Sequence, residues 1–170
     1  MAHQTNGTME ARLSDPRVSQ WLMIATYVIG ASGCYIGFSA FSSDGAAVAI
    51  RPVALLSVGA VGIISMIRHS VFHRSDAVRT GWDLGRRNNF QIEVGFANLA
   101  IGLPAVVAVA LDWGVAVEAS FVLVYALYFF QVSVLMLMEW NNIKRKVLPL
   151  LLTLMQAGLL GYFALAALAT

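Results

Sequence analysis

With 170 residues, 59% of them hydrophobic and only 12% charged, and a mean hydropathy of +0.74, the chain is too apolar for a water-soluble domain, where about a quarter of residues carry charge. The net charge of +2 does not point to nucleic acid, because the basic residues sit in short connectors beside apolar segments, where membrane orientation accounts for them. The single cysteine, Cys34, excludes an intramolecular disulfide and any Cys-based metal cluster.

Residues 1–17 mix polar and charged side chains around Asn6-Gly7 and Asp15-Pro16, and read as a flexible tail. Residues 18–170 read as one transmembrane domain, since five apolar segments of about 20 residues each consume nearly all of its length. The first span is expected over 21–41. Gly30, Gly33 and Gly37 line one side of it, a pattern that lets two helices approach closely in lipid. Small residues precede Cys34 as in a lipoprotein signal, but Ala31 stands where a Leu is usual and the apolar run continues through Tyr35, Ile36 and Phe38. A full span is therefore expected there, not a processed leader.

Ser42 to Gly45 predict a turn into a second span over 47–67, with Pro52 tolerated in a first helical turn and Arg51 snorkelling outward. The connector from Arg68 to Asn89 carries Arg68, His69, His73, Arg74, Arg79, Arg86 and Arg87 against Asp76 and Asp83. Within it, Ser75 or Asp76 is expected to cap a short interfacial helix reaching Thr80, with Val78 and Trp82 turned to lipid. The third span, 90–111, opens with Asn88 and Gln91 at capping-box spacing. Asp112-Trp113-Gly114 turns the chain into a fourth span over 115–138. A second basic connector, 139–146, leads to the last span over 147–169.

Ten of the eleven Lys and Arg residues then fall on one side of the bilayer, Arg51 being the exception. The expected class is an all-α polytopic membrane protein, a five-helix bundle with an N-in, C-out orientation in the inner (cytoplasmic) membrane. Lys144, Arg145 and Lys146 are expected to meet anionic lipid headgroups.

Polar groups inside spans are the candidates for function, because they are expensive in hydrocarbon unless partnered. Gln91, Gly95, Asn98 and Gly102 share one helical face, and Glu93 lies off that stripe about one turn inside the third span. Pro104 frees the carbonyl of Ala100, which predicts a kink and a polar cavity beside Asn98. His69 and His73 are four apart, and the stripe Gly62, Ser65, His69 directs His69 at neighbouring helices. His69, His73 and Glu93 could supply three metal ligands with an open position; His69 and Glu93 alone could form a clamp or proton relay. Tyr125, Tyr128 and Gln131, with Gln156 on the last span, suit interhelical hydrogen bonds or a polar pocket. The spans contain no lysine for a retinal-type Schiff base.

The run Arg68-His69, then Ser75-Asp76-Ala77, then Gly81-Trp82, then Phe90-Gln91-Ile92-Glu93-Val94-Gly95-Phe96-Ala97-Asn98-Leu99 resembles the signature block of a family of small bacterial integral-membrane proteins of unknown function. The resemblance covers about a fifth of the chain and implies a helical bundle without implying an activity. The Arg86-Arg87-Asn88-Asn89 segment departs from the shorter Gly-Ser-Pro-type turn of that pattern. If the block marks a site, it falls on His69, Gln91, Glu93 and Asn98.

Three functions fit these residues. The first is a non-enzymatic membrane protein working as a homo-oligomer or as an accessory subunit beside a membrane-protein partner, favoured by the glycines of the first and third spans and needing no cofactor. The second is a transporter or channel for a small solute, ion or proton, using His69, Glu93 and Asn98. The third is a metal- or quinone-dependent redox protein, suggested by the two histidines, the carboxylate and the aromatic fourth span.

Overall fold

A computed structural model describes residues 13–81, 83, 85, 87–138 and 147–170. Among these the regular structure is entirely helical, as hydrocarbon requires of a single apolar segment that must satisfy its own backbone hydrogen bonds. Five helices are long and apolar enough to cross a membrane: α1 (Pro16–Asp44), α2 (Ala46–Val71), α4 (Asn89–Ala110), α5 (Val115–Met138) and α6 (Val147–Leu168). A short helix, α3 (His73–Thr80), lies between the second and third of them.

Local chemistry sets the ends. Asp15 caps α1 by accepting from the Arg17 amide at 2.9 Å, and Pro16 occupies the first helical position, where its missing N–H costs nothing. Gly45 stops α1 with φ of 85°, and Gly81 closes α3 in the left-handed conformation. Asn88 caps α4 through a 3.2 Å bond from the Gln91 amide. The reciprocal half of the expected capping box does not form, because the Gln91 side chain turns inward to His69. Ser75 and Asp76 do not cap α3 either. They lie inside it, fully buried against α1, and Phe72 holds the cap position. Val78 is exposed as expected, while Trp82, Arg86, the tail up to Arg12 and the Lys144-Arg145-Lys146 cluster lie outside the described residues.

The second span is the axis of the bundle. Half of its apolar window is buried, against 22–33% for the other four, because α1, α4, α5 and α6 all pack on it. Pro52 sits in its second turn, not its first, since the helix already begins at Ala46. A proline there cannot donate and crowds the preceding turn. The ladder answers by widening into a π-helix over Val53–Ala60, and a second π segment follows at Ile67–Val71. Pro104, by contrast, is carried within an uninterrupted α4.

Glycines set the distances. A Cβ on Gly62 would lie 2.9 Å from the Cα of Gly102 and 2.8 Å from the carbonyl of Asn98, so α2 and α4 cross backbone to backbone. Gly33 and Gly37 on α1 face Ser57 and Val53 of the first π segment, where Ser57 donates to the Gly30 carbonyl at 2.7 Å and touches the sulfur of Cys34. The seam expected of Gly30, Gly33 and Gly37 is therefore made within the chain. Gly158 on α6 has nothing within 4 Å. Replacing Gly62 or Gly102 with Ala should accordingly destabilise the protein by about 1–3 kcal/mol, the usual range for overpacking. Gly158→Ala should leave thermal unfolding in detergent unchanged, and equal melting of all three variants would contradict the crossing.

Candidate functional site

A polar column begins where α1, α2, α3 and α4 meet. Its centre is Asp76, whose side chain is 1% exposed. Oδ1 accepts from the Ser19 hydroxyl at 2.5 Å and from Arg79 Nη2 at 2.8 Å, while Arg79 Nε also donates to Ser19 Oγ at 3.0 Å. Arg68 Nε stands 3.7 Å from the same oxygen. The Ser75 hydroxyl donates to the Asp15 carbonyl and accepts from the Ser19 amide, which fixes α3 to the start of α1.

His69 lies on the other side of the carboxylate. Arg68 Nη2 approaches its Nε2 at 2.6 Å, and a guanidinium can only donate, so Nε2 is the acceptor and Nδ1 carries the proton. That neutral tautomer directs Nδ1–H at Gln91 Oε1, 2.8 Å away. Asp76 Oδ2 is also near, at 3.0 Å, but lies off the N–H axis and has no aligned donor among the described residues. The neutral ring thus sets its polar Nδ1–H beside the carboxylate without forming an ion pair, and Gln91 holds the ring. Burial alone would raise the Asp76 carboxyl. The contact with His69, the Arg68 charge and the Ser19 hydroxyl outweigh it and hold the group well below the usual carboxylate range.

Further into the bundle, Ser65 and Tyr125 are both buried. The Tyr125 hydroxyl donates to Asn98 Oδ1 at 2.8 Å, and Asn98 Nδ2 donates to Val94 O at 2.8 Å and to the Tyr128 hydroxyl at 3.3 Å. Tyr125 and Tyr128 stack with ring centroids 5.8 Å apart. An interior cavity of about 60 Å³ opens beside this column, lined by Thr26, Tyr27, Val61, Ser65, Arg68, Phe129, Thr153 and Gln156. It lies between α1, α2, α5 and α6, and Asn98 is not among its walls.

The residues picked out by sequence divide as follows. His69, Gln91 and Asn98 belong to the column, and Gln156 faces the cavity. Glu93 and Gln131 are exposed on the outer surface of the bundle. Glu93 edges a wide open groove with Arg87, Asn89, Ile92 and Phe96, and so does not pair with His69. His73 turns its Nδ1 to the Ser70 carbonyl at 3.0 Å. The trio His69, His73 and Glu93 is therefore not assembled, and among the described residues no three His, Cys, Asp or Glu side chains gather to hold a metal.

Several residues of the column escape a reading by helical stripes. Arg68 and His69 both face inward because the π turn at Ile67–Val71 narrows the angle between neighbours. Asp76 and Arg79 are separated by three residues on α3, an ion-pair spacing visible in the sequence whose burial is not. The opposite end of the bundle holds a second cluster: Arg51 bonds Asp112 at 2.8 Å and the Val109 carbonyl at 2.9 Å, and its Nε lies 3.8 Å from the buried Glu118. Arg51 thus reaches outward, as expected, but toward two acids.

Five spanning helices with charged clusters at both ends and a polar seam between them define a multi-pass membrane protein whose interior chemistry is concentrated on its second helix. The chain belongs to DUF6790, a family of unknown function whose match extends over residues 17–167. No curated protein and no solved structure matches it.

Removing the Asp76 charge leaves the two guanidinium groups unbalanced. Asp76→Asn should cost about 3–5 kcal/mol, as for other broken buried ion pairs. The carboxyl titrates lower when folded than its unfolded value of about 3.9, so its stabilising effect is complete above that pH and lost as pH falls toward the folded value. Wild-type melting temperature should fall below about pH 4, and Asp76→Asn should lose that part of the fall. Parallel pH profiles would show that the carboxylate is not linked to folding.

Proposed function

We propose that this protein carries a small solute or ion across the inner membrane through its polar interior, with the basic connectors and the amino terminus in the cytoplasm and the carboxyl terminus outside. One observation carries the reading: Arg68 stands on the wall of an interior cavity bounded by four spanning helices. An arginine inside a transmembrane bundle is costly, and one that faces a cavity is read by default as part of a functional site. The column from Asp76 through His69 and Arg68 to Tyr125 and Asn98 gives this arginine polar surroundings on the cytoplasmic side. On the outer side, the Arg51, Asp112 and Glu118 cluster places charge at the exit.

The orientation rests on the sequence positions of ten basic residues, which fall in the tail and in the two connectors assigned to one side of the five spans. A homo-oligomeric or accessory-subunit role has weaker support, because Gly33, Gly37 and Gly102 are used in contacts within the chain. The redox reading likewise lacks an assembled ligand set among the described residues.

Purified protein in liposomes should dissipate an imposed gradient of small ions, and Gln156→Leu should reduce the rate at least tenfold. Leak equal to that of protein-free liposomes would overturn the reading. In intact cells, a membrane-impermeant maleimide should label Ser43→Cys and spare Asp83→Cys. The reverse pattern would invert the orientation.

A further inference from the structure

The interior cavity is lined by two buried donors that make no hydrogen bond. Gln156 Nε2 is a buried donor without a hydrogen-bond partner among the described residues, Arg68 Nε meets Asp76 Oδ1 only at 3.7 Å and makes no hydrogen bond, and both residues line the cavity. They come from different helices, α2 and α6. No carboxylate lines the space. The hydroxyls of Thr26 and Thr153 give their protons to the carbonyls of Met23 and Pro149 on their own helices, and so shape the cavity without adding donors.

Charge points the same way. The buried cluster beside the cavity contains the guanidinium groups of Arg68 and Arg79 and the single carboxylate of Asp76. His69 adds none, since Arg68 donates to its Nε2 and fixes the neutral ring. One positive charge is left over in surroundings of low dielectric, where an unbalanced ion is expensive. A single negative charge at the cavity end of Arg68 would balance it. Unpaired donors of this kind hold an acceptor, and the excess charge favours an anionic one.

Size narrows the class. The cavity of about 60 Å³ is small, and a water molecule needs roughly 10–15 Å³ on the same measure. A nucleotide, a quinone or a sugar does not fit. A halide-sized ion fits with one or two waters.

We propose that this cavity is a binding site for one small monovalent anion, held by Arg68 Nε and Gln156 Nε2. The proposal names the solute class for the pathway above and rests on the same cavity. Bromide is the probe of choice. In detergent at constant ionic strength, exchanging gluconate for bromide should raise the melting temperature of the wild-type protein along a saturable curve. Crystals grown in bromide should give an anomalous peak within hydrogen-bonding distance of both nitrogens.

Gln156→Leu should weaken the apparent bromide affinity at least tenfold. Gln156→Glu, which places a carboxylate at the same position, should abolish the effect even if the leucine variant fails to fold. A non-saturable response, a response unchanged in both variants, or a cavity holding water without an anomalous peak would overturn the proposal. Binding without flux in liposomes would retain the anion site and remove the pathway. Flux without bromide binding would retain the pathway and remove the anion.

Discussion

Hydrocarbon offers no hydrogen bonds, and that constraint organises the molecule. Each polar group carried below the interface must find a partner in the bundle or reach for its edge. The Asp76 cluster is the main solution at one end: one carboxylate gathers a serine, two arginines and a histidine from α1, α2 and α3, and Gln91 of α4 holds the histidine. Four elements are tied together by these polar contacts, which fix their register more narrowly than apolar packing alone. Buried ion pairs contribute little net stability relative to apolar replacements, whereas breaking one is costly, so an arrangement that separates the members of the cluster is penalised. The Arg51, Asp112 and Glu118 group does similar work at the far end with more exposure.

Close approach is the second requirement, since lipid tails are as apolar as leucine and helices gain by packing density. The α2 helix meets α1 across Gly33 and Gly37 and meets α4 across Gly62 and Gly102. It could not serve as an axis for four neighbours if those positions carried side chains. The same placement explains why the polar column and the cavity both lie along α2: its residues alone have neighbours on nearly every side.

The class and the five spans were legible because hydropathy and the charge of connectors report directly on the solvent. The spans fall within a few residues of those expected, and the inward stripe Gln91, Gly95, Asn98, Gly102 is buried throughout. Legibility ended where backbone geometry departs from the α period. A stripe drawn at 3.6 residues per turn through Gly62 and Ser65 selects His69 but passes over Arg68, and the π segment presents both. As an acid within an apolar run Glu93 draws a functional reading, yet it sits on the outer face near the start of its span. A cap is the expectation for Ser75 or Asp76 because both residue types are common there, whereas the partners of Asp76 include Ser19 and Arg68, 57 and 8 residues away. Pairing across such separations leaves no periodic trace.

The two π segments have a mechanical consequence. Each wide turn holds a residue more than α winding would, so restoring either to α geometry turns everything beyond it by about 100° around the helix axis. Arg51 lies before both segments and Arg68 within the second. Torsion applied at one mouth of the bundle would thus be felt as a swing of the guanidinium at the other, and the central helix has the form of a shaft joining two charged ends.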